Sequence, residues 1–158
     1  MQETSRPGDS PVIRRIEQKN SIPGRGYFTL HWSRLTKADK YSIVRSVPAV
    51  SGIYELYYRK AEDPLNLLAV NQGWYGGLRS QIREAIDEEF QTDKRLRSIL
   101  AEYEIYFRFS ISDILADMQD VLWFLHRNYF GNGVSVQPSG RYSHVYLREY
   151  APDKIHWV

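Results

Sequence analysis

The chain of 158 residues contains no cysteine. This absence excludes a disulfide framework, a thiolate zinc site and a cysteine nucleophile. Long apolar runs are also missing, since no segment approaches the roughly 18 consecutive apolar residues expected of a membrane-spanning helix. The N-terminal residues are polar and lack the apolar core of a signal peptide. We therefore expect a cytoplasmic protein that does not enter a membrane.

The chain also lacks a large excess of either positive or negative charge. The 21 basic and 19 acidic residues leave a formal net charge of +2. Such a balance produces no whole-protein field that attracts nucleic acid, so any DNA binding must depend on a local patch. Aromatic residues, by contrast, make up 14% of the chain and include twelve tyrosines. Exposed tyrosines suit stacking on bases or packing at interfaces, although most are expected to fill half-buried strand positions.

Hydrophobic periodicity predicts alternating strands and helices in one domain with a proper core. We predict strands at 27–32, 53–58, 67–75, 103–111 and 142–150, and helices at 36–47, 77–90, 93–102 and 113–129. Thr36 is expected to cap the first helix, with Tyr41, Val44 and Val47 on its apolar face, and Ser112 or Asp113 to cap the last. The pattern favours an α/β (α+β) fold in which helices flank a small mixed, mainly antiparallel sheet.

Two glycine-containing motifs lie in residues 47–89. Gly52-Ile53-Tyr54 opens one predicted strand, and Tyr75-Gly76-Gly77 follows the next strand and precedes an amphipathic helix. This order of strand, loop, strand, glycine turn and helix, with Pro48 just before the first strand, resembles the start of a GIY-YIG nuclease domain. Gly76 occupies the place where that family usually has isoleucine or valine.

The resemblance covers about residues 47–132 and implies a GIY-YIG-like fold for them. We expect residues 1–46 to form an N-terminal extension with a flexible tail and one helix. Residues 47–158 would form the GIY-YIG-like domain, which ends with a C-terminal strand.

The resemblance also implies a chemistry, the metal-dependent hydrolysis of DNA phosphodiester bonds with Mg²⁺ or Mn²⁺. Tyr54 matches the tyrosine of the first motif, which in the family acts near the attacking water. Tyr75 matches the tyrosine of the second motif, and Gly77 matches the glycine that opens the helix. Because the free pKa of tyrosine is about 10, such a base needs help from the metal or from a neighbouring cation.

An acidic metal ligand on a later helix completes the family's site, and an asparagine follows that helix. Asp120 and Asn132 are twelve residues apart, which fits this spacing. The resemblance therefore implies Asp120 as the metal ligand, with Gly77 and Asn132 on the substrate side. Asp120 also belongs to a polar stripe with Asp113 and Asp117, so a solvated helix face is an alternative of equal weight.

The main departure from the family concerns its catalytic arginine. The residue at the corresponding position of this chain is Ala85. Arg79 and Arg83 lie four residues apart on one helix face. They are displaced from the expected position by two residues or more, and two residues correspond to about 200° around a helix. Arg83 is the catalytic candidate and Arg79 the reserve. Without an arginine at the phosphate, catalysis would fall by orders of magnitude.

Three functional hypotheses follow. The first is a divergent GIY-YIG-type DNA endonuclease. The second is a catalytically degenerate module on the same fold that binds DNA or a protein partner. The third is an unrelated structural or partner-binding protein, which would follow if Tyr54 and Tyr75 lay far apart. The four histidines lack metal-ligand spacing and are expected to be packed or at the surface.

Overall fold

A computed structural model describes residues 14–18, 22–131, 133 and 135–153. Most of the predicted flexible tail, and Asn132, lie outside these residues. The strands are β1 (Ile16–Gln18), β2 (Arg25–His31), β3 (Thr36–Lys37), β4 (Gly52–Arg59), β5 (Asn66–Gly73), β6 (Glu104–Ile111) and β7 (His144–Tyr150). The helices are α1 (Lys40–Ser46), α2 (Gly77–Ala85), α3 (Lys94–Glu102) and α4 (Leu115–Phe130), and a short 3₁₀ turn spans Glu88–Phe90.

The strands form two sheets. The four-stranded sheet has the order β3-β6-β4-β5, and every neighbouring pair in it is antiparallel. The three-stranded sheet has the order β1-β2-β7, in which β1 and β2 are antiparallel while β2 and β7 are parallel. The predicted α+β class with mainly antiparallel pairing is confirmed, with two sheets in place of one.

The four-stranded sheet has a hydrophobic core on each face, because successive strand residues point to opposite sides. Ile53 and Val70 face α4, whereas Tyr54 and Leu56 face α1 and α2. The α4-side core comprises Ile16, Phe28, Leu30, Trp32, Ile53, Val70, Met118, Val121, Leu122 and Leu125. The α1–α2-side core comprises Ile43, Val47, Tyr54, Leu56, Leu78, Ile82, Phe107 and Phe109. Sheet β3-β6-β4-β5 therefore separates α4 from α1 and α2.

The residues before Val47 take part in both sheets. Phe28, Leu30 and Trp32, from β2 and the residue after it, pack into the α4-side core. Strand β3 adds to the four-stranded sheet by pairing with β6. The segment predicted as an N-terminal extension thus supplies three strands, as well as the predicted helix, to the shared cores.

The first helix begins later than predicted. Asp39, not Thr36, is its N-cap, and its carboxylate accepts hydrogen bonds from the Tyr41 and Ser42 backbone at 2.9 and 2.8 Å. The Ser42 hydroxyl in turn accepts from the Asp39 backbone at 3.0 Å, which completes a capping box. Thr36 instead pairs with Phe107 in the sheet. Because Thr36 is paired in the sheet, the helix begins only after the next capping residue, Asp39.

The buried face of α1 also differs from the prediction. Ile43 and Val47 are buried, whereas Tyr41 and Val44 are exposed. The predicted set (Tyr41, Val44 and Val47) and the observed pair (Ile43 and Val47) both have helical spacing. Only Ile43 and Val47, four residues apart, pack in the core that α2 and the sheet provide. Helix α1 therefore presents two apolar side chains to solvent.

Two other helix ends were predicted wrongly. Helix α2 ends at Ala85, and Asp87 caps the separate 3₁₀ turn that follows. Helix α4 begins at Leu115 after Ile114, which offers no side-chain cap, so neither Ser112 nor Asp113 caps it. None of the described helices is long and apolar enough to cross a membrane.

Candidate functional site

The motif glycines lie where the backbone approaches other elements closely. A Cβ atom at Gly52 would meet the carbonyl oxygen of Ser110 in the neighbouring strand. Gly77 has a φ of +78°, and a Cβ there would lie 2.9 Å from the backbone carbon of Ala49. Gly76 has a φ of +76°. This left-handed region strongly disfavours β-branched residues, which explains why isoleucine or valine is absent from that position.

Tyr54 is a core residue in this structure. Its side chain is only 4% exposed and packs in the α1–α2-side core. Burial, followed by the negative charge of Glu84, raises the pKa of Tyr54 to about 12. The hydroxyl therefore stays protonated at neutral pH, which is the opposite of what a general base requires.

Tyr75 lies in the short connection between β5 and α2 and is 83% exposed. Its carbonyl oxygen accepts a hydrogen bond from the Gln81 side chain at 2.7 Å, which fixes the backbone of the turn. In the part of the chain that the structure describes, no ring contact joins Tyr75 to Tyr54. One motif tyrosine is thus in the core and the other in solvent.

The two candidate arginines on α2 have different surroundings. The Arg79 guanidinium donates from Nε to the carbonyl oxygen of Val47 at 2.8 Å. Val47 is the C-cap of α1, where a cation is favourable beside the unpaired carbonyl groups. Ala85, at the position of the family's arginine, packs against the α1–α2-side core. Arg79 therefore connects the two helices.

Arg83 is exposed and lines a cavity of about 660 Å³ between α1, α2 and the 3₁₀ turn. The acidic side chains that line the same cavity are Glu84, Asp87, Glu88 and Glu89, and the other cation is Lys40. The carboxylates outnumber the cations around Arg83. The excess negative charge opposes the approach of a phosphate to this arginine.

Asp120 is 1% exposed and both of its carboxylate oxygens are occupied. Oδ1 accepts from the Ser139 backbone at 2.8 Å, and Oδ2 accepts from the Ser139 hydroxyl and the Arg141 guanidinium, each at 2.8 Å. Arg141 also donates to Asp117 at 2.8 Å. We call this group the Asp117–Asp120–Arg141 network; it connects α4 to the residues before β7.

The contacts of Asp120 in this network bear on whether it could bind a divalent metal ion. The arginine places a positive charge at hydrogen-bond distance from the oxygens that Mg²⁺ or Mn²⁺ would need. A metal ion there would have to displace Arg141 and lie beside its charge. Asp120 therefore does not fit the ligand role that the resemblance implies. Among the described residues, no group of three or more histidine, cysteine or acidic side chains could hold a metal ion.

Among the described residues, the structure separates Asp120 from the other predicted site residues. Tyr54 faces α1 and α2, while Asp120 belongs to α4 on the other side of the four-stranded sheet. Arg83 and Gly77 belong to α2, on the side of Tyr54. Asn132 cannot be placed, since it lies outside the described residues.

A buried polar network between β4 and β6 was not predicted from the sequence. The Glu55 carboxylate is fully buried and accepts hydrogen bonds from Arg108 Nε at 2.6 Å and from the Tyr57 hydroxyl at 2.7 Å. Tyr129 of α4 also hydrogen-bonds to Glu55. The Arg108 guanidinium lies 4.3 Å from the centre of the Trp32 ring. We call this group the Glu55–Arg108 network.

Burial and pairing act in opposite directions within this network. Burial raises the pKa of Glu55, against the lowering effects of Arg108 and Tyr57. Burial and the charge of Glu55 both raise the pKa of Tyr57. Burial lowers the pKa of Arg108, but the charges of Glu55 and Tyr57 and the hydrogen bond to Glu55 together raise it above its ordinary value, so Arg108 stays cationic. Since the two opposite charges pair in the interior, removal of either one alone would leave the other charge buried without a counter-ion.

In the sequence, the Glu55–Arg108 pair is visible only as one charged residue in the middle of each of two apolar strands. Glu55 lies directly opposite Arg108 in the β4–β6 register. The sequence shows both charges but does not show that these two strands are neighbours. A matched acid and base in adjacent buried strands becomes recognisable only once the strand order is known.

A second cavity, of about 400 Å³, is lined by arginine and hydroxyl groups. Its lining residues are Arg14, Ser33, Arg34, Thr36, Ser46 and Phe109. The Arg14 guanidinium lies 5.4 Å from the centre of the Phe109 ring. Among the residues that the structure describes, no carboxylate lines this space. We call it the arginine-lined cavity.

A family model described as an uncharacterised protein matches residues 16–158 of the chain. The chain belongs to this family. No curated protein and no solved structure matches the chain. Because the match begins at the first residue of β1, the family includes the three-stranded sheet as well as the segment that carries the glycine motifs.

Proposed function

We propose that this chain is a nucleic-acid-binding module on a GIY-YIG-like fold and that it does not cleave nucleic acid. The observation that carries the proposal is the position of Tyr54 and Asp120 on opposite faces of the four-stranded sheet. Three of the candidate catalytic groups have another role: Tyr54 fills the core, Arg79 connects two helices and Asp120 holds Arg141.

The order of elements supports the GIY-YIG-like part of the proposal. Strand β4, a loop, strand β5, a glycine turn and helix α2 follow one another, and α4 supplies the later helix. Gly52 and Gly77 lie at close backbone approaches, where a side chain would clash. These glycines would be kept for packing even where the chemistry has been lost, since fold alone does not imply activity.

The arginine-lined cavity supports a nucleic-acid ligand. Arg14 and Arg34 are exposed cations, and the hydroxyl groups of Thr36 and Ser46 line the same cavity. Guanidinium groups bind phosphate oxygens through paired hydrogen bonds, and hydroxyl groups add further donors. With a net charge of only +2, binding must depend on a local patch of this kind.

Equilibrium binding of labelled duplex and single-stranded DNA, measured by fluorescence anisotropy in the presence of chelator, tests the proposal. We expect Arg14→Ala and Arg34→Ala each to weaken binding and to lower the slope of log affinity against log salt by about one. Arg97→Ala removes an exposed charge on α3 and serves as the matched control. Absence of binding to any nucleic acid at low salt by folded wild-type protein would overturn the proposal.

A rearranged nuclease is the second candidate, and one observation favours it. Arg83 and Glu84 line the same cavity, and the charge of Glu84 reaches Tyr54, whose pKa it raises. A tyrosine, an arginine and a carboxylate thus lie on the α2 side of the sheet. Metal-dependent DNA cleavage that is lost in both Tyr54→Phe and Arg83→Ala would select this candidate over the non-cleaving module.

A further inference from the structure

One face of the three-stranded sheet points away from the α4-side core. Tyr146, Arg148 and Tyr150 on this face are exposed, whereas Tyr27 and His31 are half-buried and Thr29 is buried. Phe28 and Leu30 of β2 point into the α4-side core, so Tyr27, Thr29 and His31 point away from it. Strand β7 lies in parallel register with β2 and its outward residues stand opposite those of β2. The outward pairs are Arg25 with His144, Tyr27 with Tyr146, Thr29 with Arg148 and His31 with Tyr150.

The rings on this face stack across the two strands. Tyr27 and Tyr146 have centroids 4.9 Å apart and planes 12° apart. His144 continues this stack 6.5 Å from Tyr146, with planes 17° apart. His31 and Tyr150 form a second stack, 5.3 Å and 13° apart. We call these five residues the aromatic face; its two ring stacks offer flat surfaces on which further rings can be added.

The charges around the aromatic face are mostly positive. Arg25 and Arg148 are exposed on the same side of the sheet. Glu17 is the one carboxylate among the described outward residues of the three strands, and it pairs with His31 at 3.3 Å. Glu149 points to the other side, where it accepts a hydrogen bond from the Trp32 indole at 2.8 Å. The face therefore suits an anionic ligand.

A cavity of about 520 Å³ lies on the aromatic face. Tyr27 and Tyr146 line it together with Thr29 and Arg148. A planar ring bound there would contact the Tyr27–Tyr146 stack, and a phosphate attached to it would meet the Arg148 guanidinium. Stacking surfaces next to exposed cations are the combination with which proteins hold unpaired nucleotides.

We propose that the aromatic face binds single-stranded nucleic acid by base stacking. This inference rests on the proposed function, and it names the form of nucleic acid and the surface that binds it. Duplex ends aside, bases in a double helix are covered by their neighbours, so only an unpaired strand can place them on these rings. Bases supply the flat apolar surface, and the phosphates supply the charge that Arg25 and Arg148 complement.

The aromatic face and the arginine-lined cavity are contiguous along the chain. Strand β2 ends at His31, and Ser33 and Arg34 of the cavity follow within three residues. The His31 backbone also donates to the carbonyl oxygen of Arg15 at 3.2 Å, next to Arg14. A strand stacked on the aromatic face would therefore extend toward Arg14 and Arg34, which would hold its phosphates.

Fluorescence anisotropy with labelled oligo-dT, oligo-dU, oligo-U and a length-matched duplex tests this inference on the full chain. We expect tighter binding of the single strands than of the duplex, and Tyr146→Ala to weaken single-strand binding about tenfold. Tyr146→Phe keeps the ring, and Tyr41→Ala removes an exposed tyrosine on α1, so both should stay within about twofold of wild type. The ratio of oligo-U to oligo-dU affinity shows which sugar is preferred, since these two strands differ only in the 2′-hydroxyl group.

Arg148→Gln gives a second readout that does not depend on the packing of Tyr146. It should lower the salt slope for oligo-dT by about one while leaving the thermal midpoint unchanged. Amide chemical shifts measured with saturating oligo-dT should change along β2 and β7. Both results would place single-strand binding on this face even if Tyr146→Ala proved unstable.

Three outcomes would overturn the inference in different ways. If no nucleic acid binds, the proposed function fails and the inference fails with it. If Arg34→Ala weakens binding while Tyr146→Ala and Arg148→Gln do not, the proposed function stands and the aromatic face is not the binding surface. If Tyr146→Ala converts a dimer to a monomer in sedimentation without changing nucleic-acid affinity, the face binds a second copy of the chain.

Discussion

Tyr54 and Asp120, which would share one catalytic centre if the family resemblance extended to the chemistry, lie on opposite faces of the four-stranded sheet. The hydroxyl of Tyr54 is held in its neutral form by burial, and its pKa rises to about 12. The carboxylate of Asp120 is neutralised by Arg141 at 2.8 Å. Both residues are therefore expected to affect stability.

The Asp117–Asp120–Arg141 network should contribute measurably to the free energy of unfolding. Arg141→Ala would leave two buried carboxylates without their cation, whereas Asp113 is exposed and serves as the control. We expect Arg141→Ala to destabilise the protein by about 2 kcal/mol, less than for a fully buried pair because Arg141 is partly exposed. Urea unfolding measures this loss. A loss no larger than that of Asp113→Ala would contradict the structural role.

Tyr54 should tolerate loss of its hydroxyl but not of its ring. Tyr54→Phe keeps the packed ring and should change stability by less than about 1 kcal/mol, whereas Tyr54→Ala should cost about 3–5 kcal/mol. Thermal or urea unfolding distinguishes the two. A large loss in Tyr54→Phe would mean that the hydroxyl has an essential polar partner.

The raised pKa of Tyr54 also predicts a pH dependence. Since the folded pKa is about 12 and the ordinary value is 10.0, the contribution to stability is complete below pH 10 and is lost as pH rises toward 12. Wild type and Tyr54→Phe should therefore differ by a constant amount from pH 7 to pH 9, and wild type should lose stability relative to the variant above pH 10. A difference that already changes near pH 7 would indicate a tyrosine able to act as a base.

Gly76 and Gly77 provide a matched pair of substitutions. Both have a left-handed φ, but a Cβ at Gly77 would lie 2.9 Å from the Ala49 backbone, while one at Gly76 would lie 3.3 Å from the Ser80 side chain. Gly76→Ala should cost about 1 kcal/mol from backbone strain alone. Gly77→Ala should cost about 1–3 kcal/mol more, because backbone must move. Equal losses in urea unfolding would contradict the close approach of α2 to Ala49.

The Glu55–Arg108 network predicts a rescue. Arg108→Met leaves the fully buried Glu55 carboxylate without its cation and should cost about 3–5 kcal/mol. The double variant Glu55→Gln/Arg108→Met should be more stable than Arg108→Met alone, since an amide carries no charge. Because burial raises the pKa of Glu55, the single variant should also regain stability as pH falls and Glu55 takes up a proton. A single variant insensitive to pH would contradict this.

Local patterns predicted the central strands well, because β4 and β6 are long, apolar and bounded by turn residues. The alternation of Ile53 and Glu55 against Tyr54 and Leu56 is the one observed. Boundaries were less predictable where tertiary pairing competes with local signals. Thr36 is a good capping residue, yet it pairs with Phe107 in the sheet.

The candidate site depended on contacts that the sequence does not display. Asp117 and Asp120 have the spacing of a polar stripe or of a metal ligand with its neighbour, and both interpretations left out Arg141, which lies 21 residues after Asp120. Likewise, the resemblance fixes which residues match motif positions but not which face of the sheet each one occupies. The face that each residue occupies follows from the strand order, and the pairing of Asp120 follows from its long-range contact with Arg141.

Incubation of purified protein with supercoiled and branched DNA, with Mg²⁺ or Mn²⁺ or with chelator, tests the absence of cleavage most directly. Wild type should retard the DNA in a gel and leave it intact under every condition, as should Tyr54→Phe and Asp120→Asn. Metal-dependent cutting by wild type that disappears in Tyr54→Phe would contradict the proposed non-cleaving module and establish a nuclease.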